Sequence, residues 1–186
     1  MRIYHSIIKS AIILSLVTVA AVAQDQHEDR SAYGSEVIRA VAVITPTEGN
    51  DTTGTVTFTE AEGGTRIVAE VRNLTPGLHG FHVHEFGDCT APDAASAGGH
   101  YNPTDMPHAG PDDEERHVGD FGNITAEEDG IGRYDRVLTG VPLDGEDSII
   151  GRAVVIHRDA DDLETQPAGD AGPRIGCGVI GIADTR

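Results

Sequence analysis

From Arg39 onward the apolar residues fall at every second position, in short runs cut by turn-forming residues. Ala40, Ala42 and Ile44 share one side of the first run, with Val41 and Val43 on the other. Val56 and Phe58 then alternate with Thr55, Thr57 and Thr59, and Ile67, Ala69 and Val71 alternate with Arg66, Val68 and Glu70. A strand sends successive side chains to opposite faces, so period-2 alternation reads as strands with one face buried. The turns at 47–51, Gly63-Gly64 and 73–77 punctuate these runs. Further strands are expected at 78–85, 118–124, 132–138, 149–157 and 175–182. No window carries a helical period of any length. Strand runs separated by turns about every 8–12 residues predict an all-β chain, folded as an antiparallel sandwich or barrel.

The first 23 residues differ from the rest. Arg2 and Lys9 give a positive start, an apolar run spans 11–19, and Ala21-Val22-Ala23 supplies small residues at its end. That pattern reads as a signal peptide cleaved after Ala23, and the apolar run is short for a membrane anchor, which needs about 20 residues. The expected organisation is a signal peptide at 1–23, a polar tail at 24–35 and one domain at 36–186. Export to the periplasm or to the medium follows. Once the signal residues are removed, 11 basic residues face 31 acidic ones, a balance of −20. A surface of that sign repels nucleic acid and anionic membrane, so neither is an expected partner. Cys89 and Cys177 are the only cysteines. In an oxidising compartment they read as one disulfide, with two buried free thiols as the alternative.

Two long connections interrupt the strands. The first, 86–116, is rich in Gly, Pro, Asp and Ala; the second runs over 158–173. Loops of such length inside a compact domain are functional or disordered. The histidines decide between these. His82 and His84 lie two apart on an expected strand, so both imidazoles leave the same face. His100, His108 and His117 follow along and just past the first loop, with Asp120 three residues later. Three imidazoles and one carboxylate make a closed four-coordinate zinc site, and an ion would order the loop that wraps it. His157 ends a later strand and would complete an imidazole-rich set with His82 and His84, which suits copper. The run Gly176-Cys177-Gly178-Val179-Ile180-Gly181 matches a dinucleotide fingerprint in form only, since no helix follows it. The acidic run at 159–162 lacks the glycine and the final glutamate of a calcium loop.

The segment Gly80-Phe81-His82-Val83-His84-Glu85-Phe86-Gly87-Asp88 resembles the first copper-ligand motif of copper/zinc superoxide dismutases, and Gly176 to Gly181 resembles their C-terminal motif. Gly98-Gly99-His100-Tyr101-Asn102-Pro103, Glu114 to Asp120 and Ile149-Ile150-Gly151-Arg152 lie between them in the family's order. The resemblance covers about residues 37–183. It implies an eight-stranded antiparallel Greek-key β-sandwich or barrel with two long functional loops, and disproportionation of superoxide to dioxygen and hydrogen peroxide as antioxidant defence outside the cytoplasm. It implies copper on His82, His84, His100 and His157, and zinc on His100, His108, His117 and Asp120. His100 would bridge the metals and take part in proton delivery. Asp161 would link ligands of the two sites, Arg174 would dock superoxide, and Cys89 and Cys177 would form the disulfide. A homodimer through Val41, Val43, Gly87, Ile150, Gly151 and Ile182 is implied as well. His79 is expected to be a structural hydrogen-bonder, and His27 carries no role.

Several residues depart from the family pattern. Cys89 lies eleven residues before His100, farther than in the familiar cytosolic members. The 162–174 connection is shorter and has no lysine, and Ala168 stands where a channel threonine is usual. These changes touch substrate guidance and leave the ligands in place. An exported copper/zinc-binding protein with little turnover is the alternative reading. Asn50, Asn73 and Asn123 each begin an N-x-T sequon.

Overall fold

The computed structural model describes residues 37–184. The expected signal peptide at 1–23 and the tail at 24–35 lie outside the described residues. Eight strands follow in chain order: β1 Arg39–Pro46, β2 Thr53–Ala61, β3 Gly64–Arg72, β4 Gly77–His84, β5 Asp120–Ala126, β6 Ile131–Leu138, β7 Ala153–His157 and β8 Arg174–Ile182. Every pairing is antiparallel, and the sheet closes on itself in the order β1-β2-β3-β6-β5-β4-β7-β8. The passage from β3 across to β4 and back through β6 is the Greek-key step. Closure leaves no free sheet edge. Apart from a 3-10 turn at Ala95–Ala97, the described residues hold no helix.

The alternation sets which side chains fill the barrel. Ala40, Ala42 and Ile44 from β1 point inward, as do Val56 and Phe58 from β2 and Ile67, Ala69 and Val71 from β3. Phe81 sits at their centre, edge-on to Phe121 at 5.4 Å and to Tyr134 at 5.0 Å between ring centroids. The Tyr134 hydroxyl would be costly to bury unpaired, and it donates to the Phe121 carbonyl at 3.0 Å. Two strands break the half-buried pattern. β4 is buried from His79 to His84, and β7 is buried throughout. Their inward residues Phe81, Val83, Val154 and Ile156 belong to the barrel core. Their outward residues are covered by loops.

The strand expected at 149–157 is shorter than its apolar run. Ile149–Arg152 forms a turn, with the Ile149 N–H on the Pro142 carbonyl and the Arg152 N–H on the Ile149 carbonyl. Ile149 is buried because it plugs the core from a turn, a placement that periodicity cannot tell from strand burial. The strand expected from 118 begins at Asp120, because a turn from His117 to Asp120 precedes it.

A second, smaller cluster lies outside the barrel. Ala153, Val155 and Cys177 present outward apolar surface, and Ala94, Ala97 and Cys89 of the first long loop cover it. Cys89 and Cys177 are disulfide-bonded, with Cα atoms 5.8 Å apart and 88 positions apart in sequence. The tether holds the loop that carries His100 against β8. Cross-linking a loop of this length contributes about 4–5 kcal/mol in the chain-entropy model. Replacing both Cys89 and Cys177 with Ala should therefore lower the stability of the metal-free protein by about 3–5 kcal/mol, read as the urea midpoint. An unchanged midpoint would mean that the tether contributes nothing.

Candidate metal centre

The site begins with strand parity. Phe81 and Val83 face the barrel interior, so His82 and His84 face out. On the neighbouring strand His82 pairs with Val155 and His84 with Ala153, and His157 follows Val155 on the same outward face. Three imidazoles thus share one outer patch, which the two long loops bury. Pairing between β4 and β5 ends at His82 and Asp120, and this leaves the last residues of β4 open on that side. The loop fills the gap. The Tyr101 N–H donates to the Val83 carbonyl at 2.8 Å, the Glu85 N–H to Gly99 at 3.0 Å, and His100 forms an isolated antiparallel bridge with His84. His100 is delivered beside His82, with ring centroids 4.0 Å apart.

Hydrogen bonds to the outer ring nitrogens decide which nitrogens are left to ligate. A neutral imidazole carries one N–H and one lone pair. His84 donates Nδ1–H to the Gly98 carbonyl at 2.9 Å, and His157 donates Nδ1–H to the Gly172 carbonyl at 3.0 Å. Their Nε2 lone pairs then face each other at 3.4 Å. His82 gives Nε2–H to Asp161 Oδ2 at 2.7 Å, and its buried Nδ1 has no partner. The buried Nε2 of His100 has none either. Four inward nitrogens without protons to share make a cation site, and these four residues form one of two ligand clusters among the described residues.

The second cluster is His100, His108, His117 and Asp120. Three Nδ1 atoms converge on a single oxygen, Asp120 Oδ1, at 2.8 Å from His100, 3.0 Å from His108 and 3.2 Å from His117. The His108 atom lies off the hydrogen-bonding direction and has no hydrogen-bond partner. Ligands of a tetrahedral zinc at about 2.0–2.1 Å stand about 3.3 Å apart, so the residues fit that ion. The backbone N–H groups of His117 and Ala109 donate to the other Asp120 oxygen and aim the carboxylate. His100 belongs to both clusters, with Nδ1 toward Asp120 and Nε2 toward His82, His84 and His157.

Electrostatics separates the two halves. Burial, with repulsion from His100 and His157, pushes His82 down to about 3 and His84 well below its ordinary value. Burial pushes His157 down to about 4 and lowers His100 as well. Those rings are neutral and ready to ligate. His108 differs. Burial would lower it, yet Asp120 and Asp161 on its two nitrogens outweigh burial and raise it to about 9. Burial would raise Asp120 and Asp161, but their histidine partners hold both below the carboxylate range. The two buried carboxylates demand a positive charge between them.

Asp161 also accepts from His108 Nε2 at 3.0 Å, so it touches one ligand of each cluster. Gly169 backs it at φ +64, where any Cβ would strike the carboxylate. Arg174 is half-buried and donates Nη1–H to the Ala94 carbonyl and Nη2–H to the Gly98 carbonyl, each at 2.6 Å. Gly98 is also the acceptor for His84, which ties the guanidinium to the histidine patch. A cavity of about 230 Å³ opens beside His157, lined by Gln166, Ala168 and Asp170 among others. His79 is buried and belongs to neither cluster; its Nδ1 lies 3.0 Å from the His157 carbonyl and its Nε2 lies against Thr75.

Three supporting residues were given no role at the site by the sequence. Gln166 grips the His108 backbone from both sides, its Oε1 taking the N–H at 2.8 Å and its Nε2 donating to the carbonyl at 2.7 Å. Asn123 grips the Asp161 backbone in the same way, at 2.8 Å for each bond. Its sequon is thus spent inside the fold. Arg116 is buried and donates to the His117 and Thr139 carbonyls. Long polar side chains near ligand positions were the only cue available.

These shifts fix the pH response of the metal-free protein. Unfolded histidines bind protons near pH 6.5, while folded His82 and His157 refuse them until about 3 and about 4. The unfolded chain takes up more protons, so stability falls as pH drops from about 6.5 toward 4. His108 acts on the other side. Its contribution is complete below about 6.5 and is lost as pH rises through about 9. The urea midpoint of the metal-free protein should be lower at pH 5 than at pH 7. A midpoint as high at pH 5 would contradict the neutral rings.

The family model of copper/zinc superoxide dismutase matches residues 52–180, from the start of β2 into β8. The match spans both long loops and every residue of the two clusters. The copper and zinc of that family fit the two clusters formed here, and its chemistry is oxidoreduction of superoxide. On the matched sequence, the closed antiparallel barrel and the paired ligand clusters together, the chain belongs to the copper/zinc superoxide dismutase family.

Proposed function

We propose that the chain disproportionates superoxide outside the cytoplasm as a homodimer, with copper held by His82, His84, His100 and His157 and zinc by His100, His108, His117 and Asp120. One observation carries the assignment. The buried imidazole of His100 has its Nδ1 2.8 Å from Asp120 and its Nε2 unpartnered among the other three histidines, so one ring serves both clusters.

Copper supplies one-electron redox chemistry when bound, and zinc holds the loop side of the bridge. The protein's own residues do the rest. Arg174 receives the anion. Two of the five guanidinium N–H donors are taken by carbonyls, which fixes the plane and leaves the others for substrate. Asp120 holds His100 at Nδ1, which leaves Nε2 as the atom that would take up and pass on a proton during turnover. Asp161 holds the Nε2 protons of His82 and His108 so that both rings keep their orientation. The disulfide-bound loop and the 158–173 connection cover the site against bulk water.

Export rests on the basic, apolar and small-residue order of residues 1–23. The homodimer rests on an apolar patch formed where β1 and β8 pair. Val43 is 63 % exposed and Ile182 is 66 % exposed, and Val179 and Phe86 are exposed nearby. Gly87 meets the Gly151 carbonyl so closely that no Cβ would fit, which keeps the surface between them flat. A second copy of the chain would cover these residues.

The mature protein should contain one copper and one zinc per chain and dismutate superoxide. Arg174→Ala should lower the rate at least tenfold with metal content intact. Zinc without copper after copper-replete expression would overturn the ligand assignment. Full metal with negligible turnover would favour a metal-binding protein. Sedimentation at micromolar concentration should give a dimer, and a monomer would remove the patch as an interface.

A further inference from the structure

Arg174 is anchored through the carbonyl of Ala94, and Asp93 is the residue before it. The turn that holds them is stiff. The Ala94 N–H donates to the Ala91 carbonyl at 2.8 Å, the Ala94 side chain is fully buried, and its φ of 57° turns the chain sharply. Asp93 itself is exposed. Its carboxylate is fixed, because Oδ1 accepts the Ala95 N–H at 3.0 Å across the same turn. Consecutive Cα atoms lie about 3.8 Å apart, so a held negative charge stands one residue from the carbonyl that positions the docking cation.

We propose that Asp93 sets how strongly an anion is held at Arg174, its fixed carboxylate opposing the attraction of the guanidinium for the substrate. The proposal rests on Arg174 as the receiver of superoxide. Asp93 acts through Arg174 and contacts neither substrate nor metal. Among the described residues the two side chains form no direct ion pair, so the guanidinium keeps its donors and feels the carboxylate through space. Burial pulls Arg174 below its ordinary range, and Asp93 is the charge that counters the fall. The second long loop adds no relief, since it carries Asp159, Asp161, Asp162, Glu164 and Asp170 against the single cation Arg158. A negative charge beside the docking cation weakens the local field that draws an anion in, and salt screens that effect.

Asp93→Asn keeps the Oδ1 acceptor of the turn and removes the charge. In the copper-loaded protein the dissociation constant of azide, read on the copper absorption band, should fall about two- to fivefold. The kcat/KM for superoxide should rise by a similar factor at low ionic strength, and the gain should shrink as salt is added. Asp93→Glu keeps the charge and should stay near the wild type. Glu128→Gln makes the same change in net charge two residues beyond Ala126, which pairs with Gly77 at the end of β4 remote from His84, and should change nothing. In the metal-free protein, chloride NMR line broadening should increase in Asp93→Asn and vanish in Arg174→Ala. That measurement needs no copper, so it decides the role of Asp93 even if the dismutase reading fails. Unchanged azide affinity and chloride broadening in Asp93→Asn, or an equal gain in Glu128→Gln, would overturn the proposal.

Discussion

The buried carboxylate of Asp161 accepts the Nε2–H of His82 on one oxygen at 2.7 Å and that of His108 on the other at 3.0 Å. Both contacts fix a tautomer. With Nε2 committed outward, His82 can offer only Nδ1 to the first cluster, and His108 only Nδ1 to the second. A carboxylate this deep is tolerable only when every lone pair finds a donor. The Leu163 N–H supplies a third donor at 2.7 Å, and Asn123 holds the backbone of Asp161 from both sides. Two sites that share His100 on one side are thereby joined again on the other. Losing this carboxylate would release one ring in each cluster at once.

The barrel and the site use different sources of stability. The barrel is closed by eight strands and filled by alternating apolar side chains, which need no metal. The outer face of β4 and β7 has no such filling. It is covered by loops held through the disulfide, the small alanine cluster around it and a few side-chain bonds to backbone. Without cations, the carboxylates of Asp120 and Asp161 are balanced by histidine N–H donors, with His108 drawn into protonation. Burial disfavours charge on the rings around them, so bound cations would complete the compensation.

Much of this was legible in the residues. Strand parity put His82 and His84 on one face, because a period of two leaves no freedom once Phe81 and Val83 are inside. The spacing of His100, His108, His117 and Asp120 identified a closed four-ligand set. The turn at Ile149–Arg152 was hidden, since apolar side chains bury equally well from a turn or a strand. Gln166 and Asn123 were hidden for another reason. Their partners are backbone groups 58 and 38 residues away, and backbone carries no sequence signal. The nearness of Asp93 to Arg174 likewise depends on how a loop folds back across some 80 residues.

The grip of Gln166 on the His108 backbone has one more implication. Gln166 lines the cavity beside His157, while His108 sits in the other long loop among the second set of ligands. The two loops are therefore a single mechanical part, although 41 residues of barrel and turn, 117–157, separate their sequences. Insertions in exposed loops are ordinarily well tolerated, because closure entropy grows slowly with length. Here an insertion on either side of the grip would shift its register and pull a ligand with it. A change of loop length beside the grip would therefore move the entrance and the second cluster together.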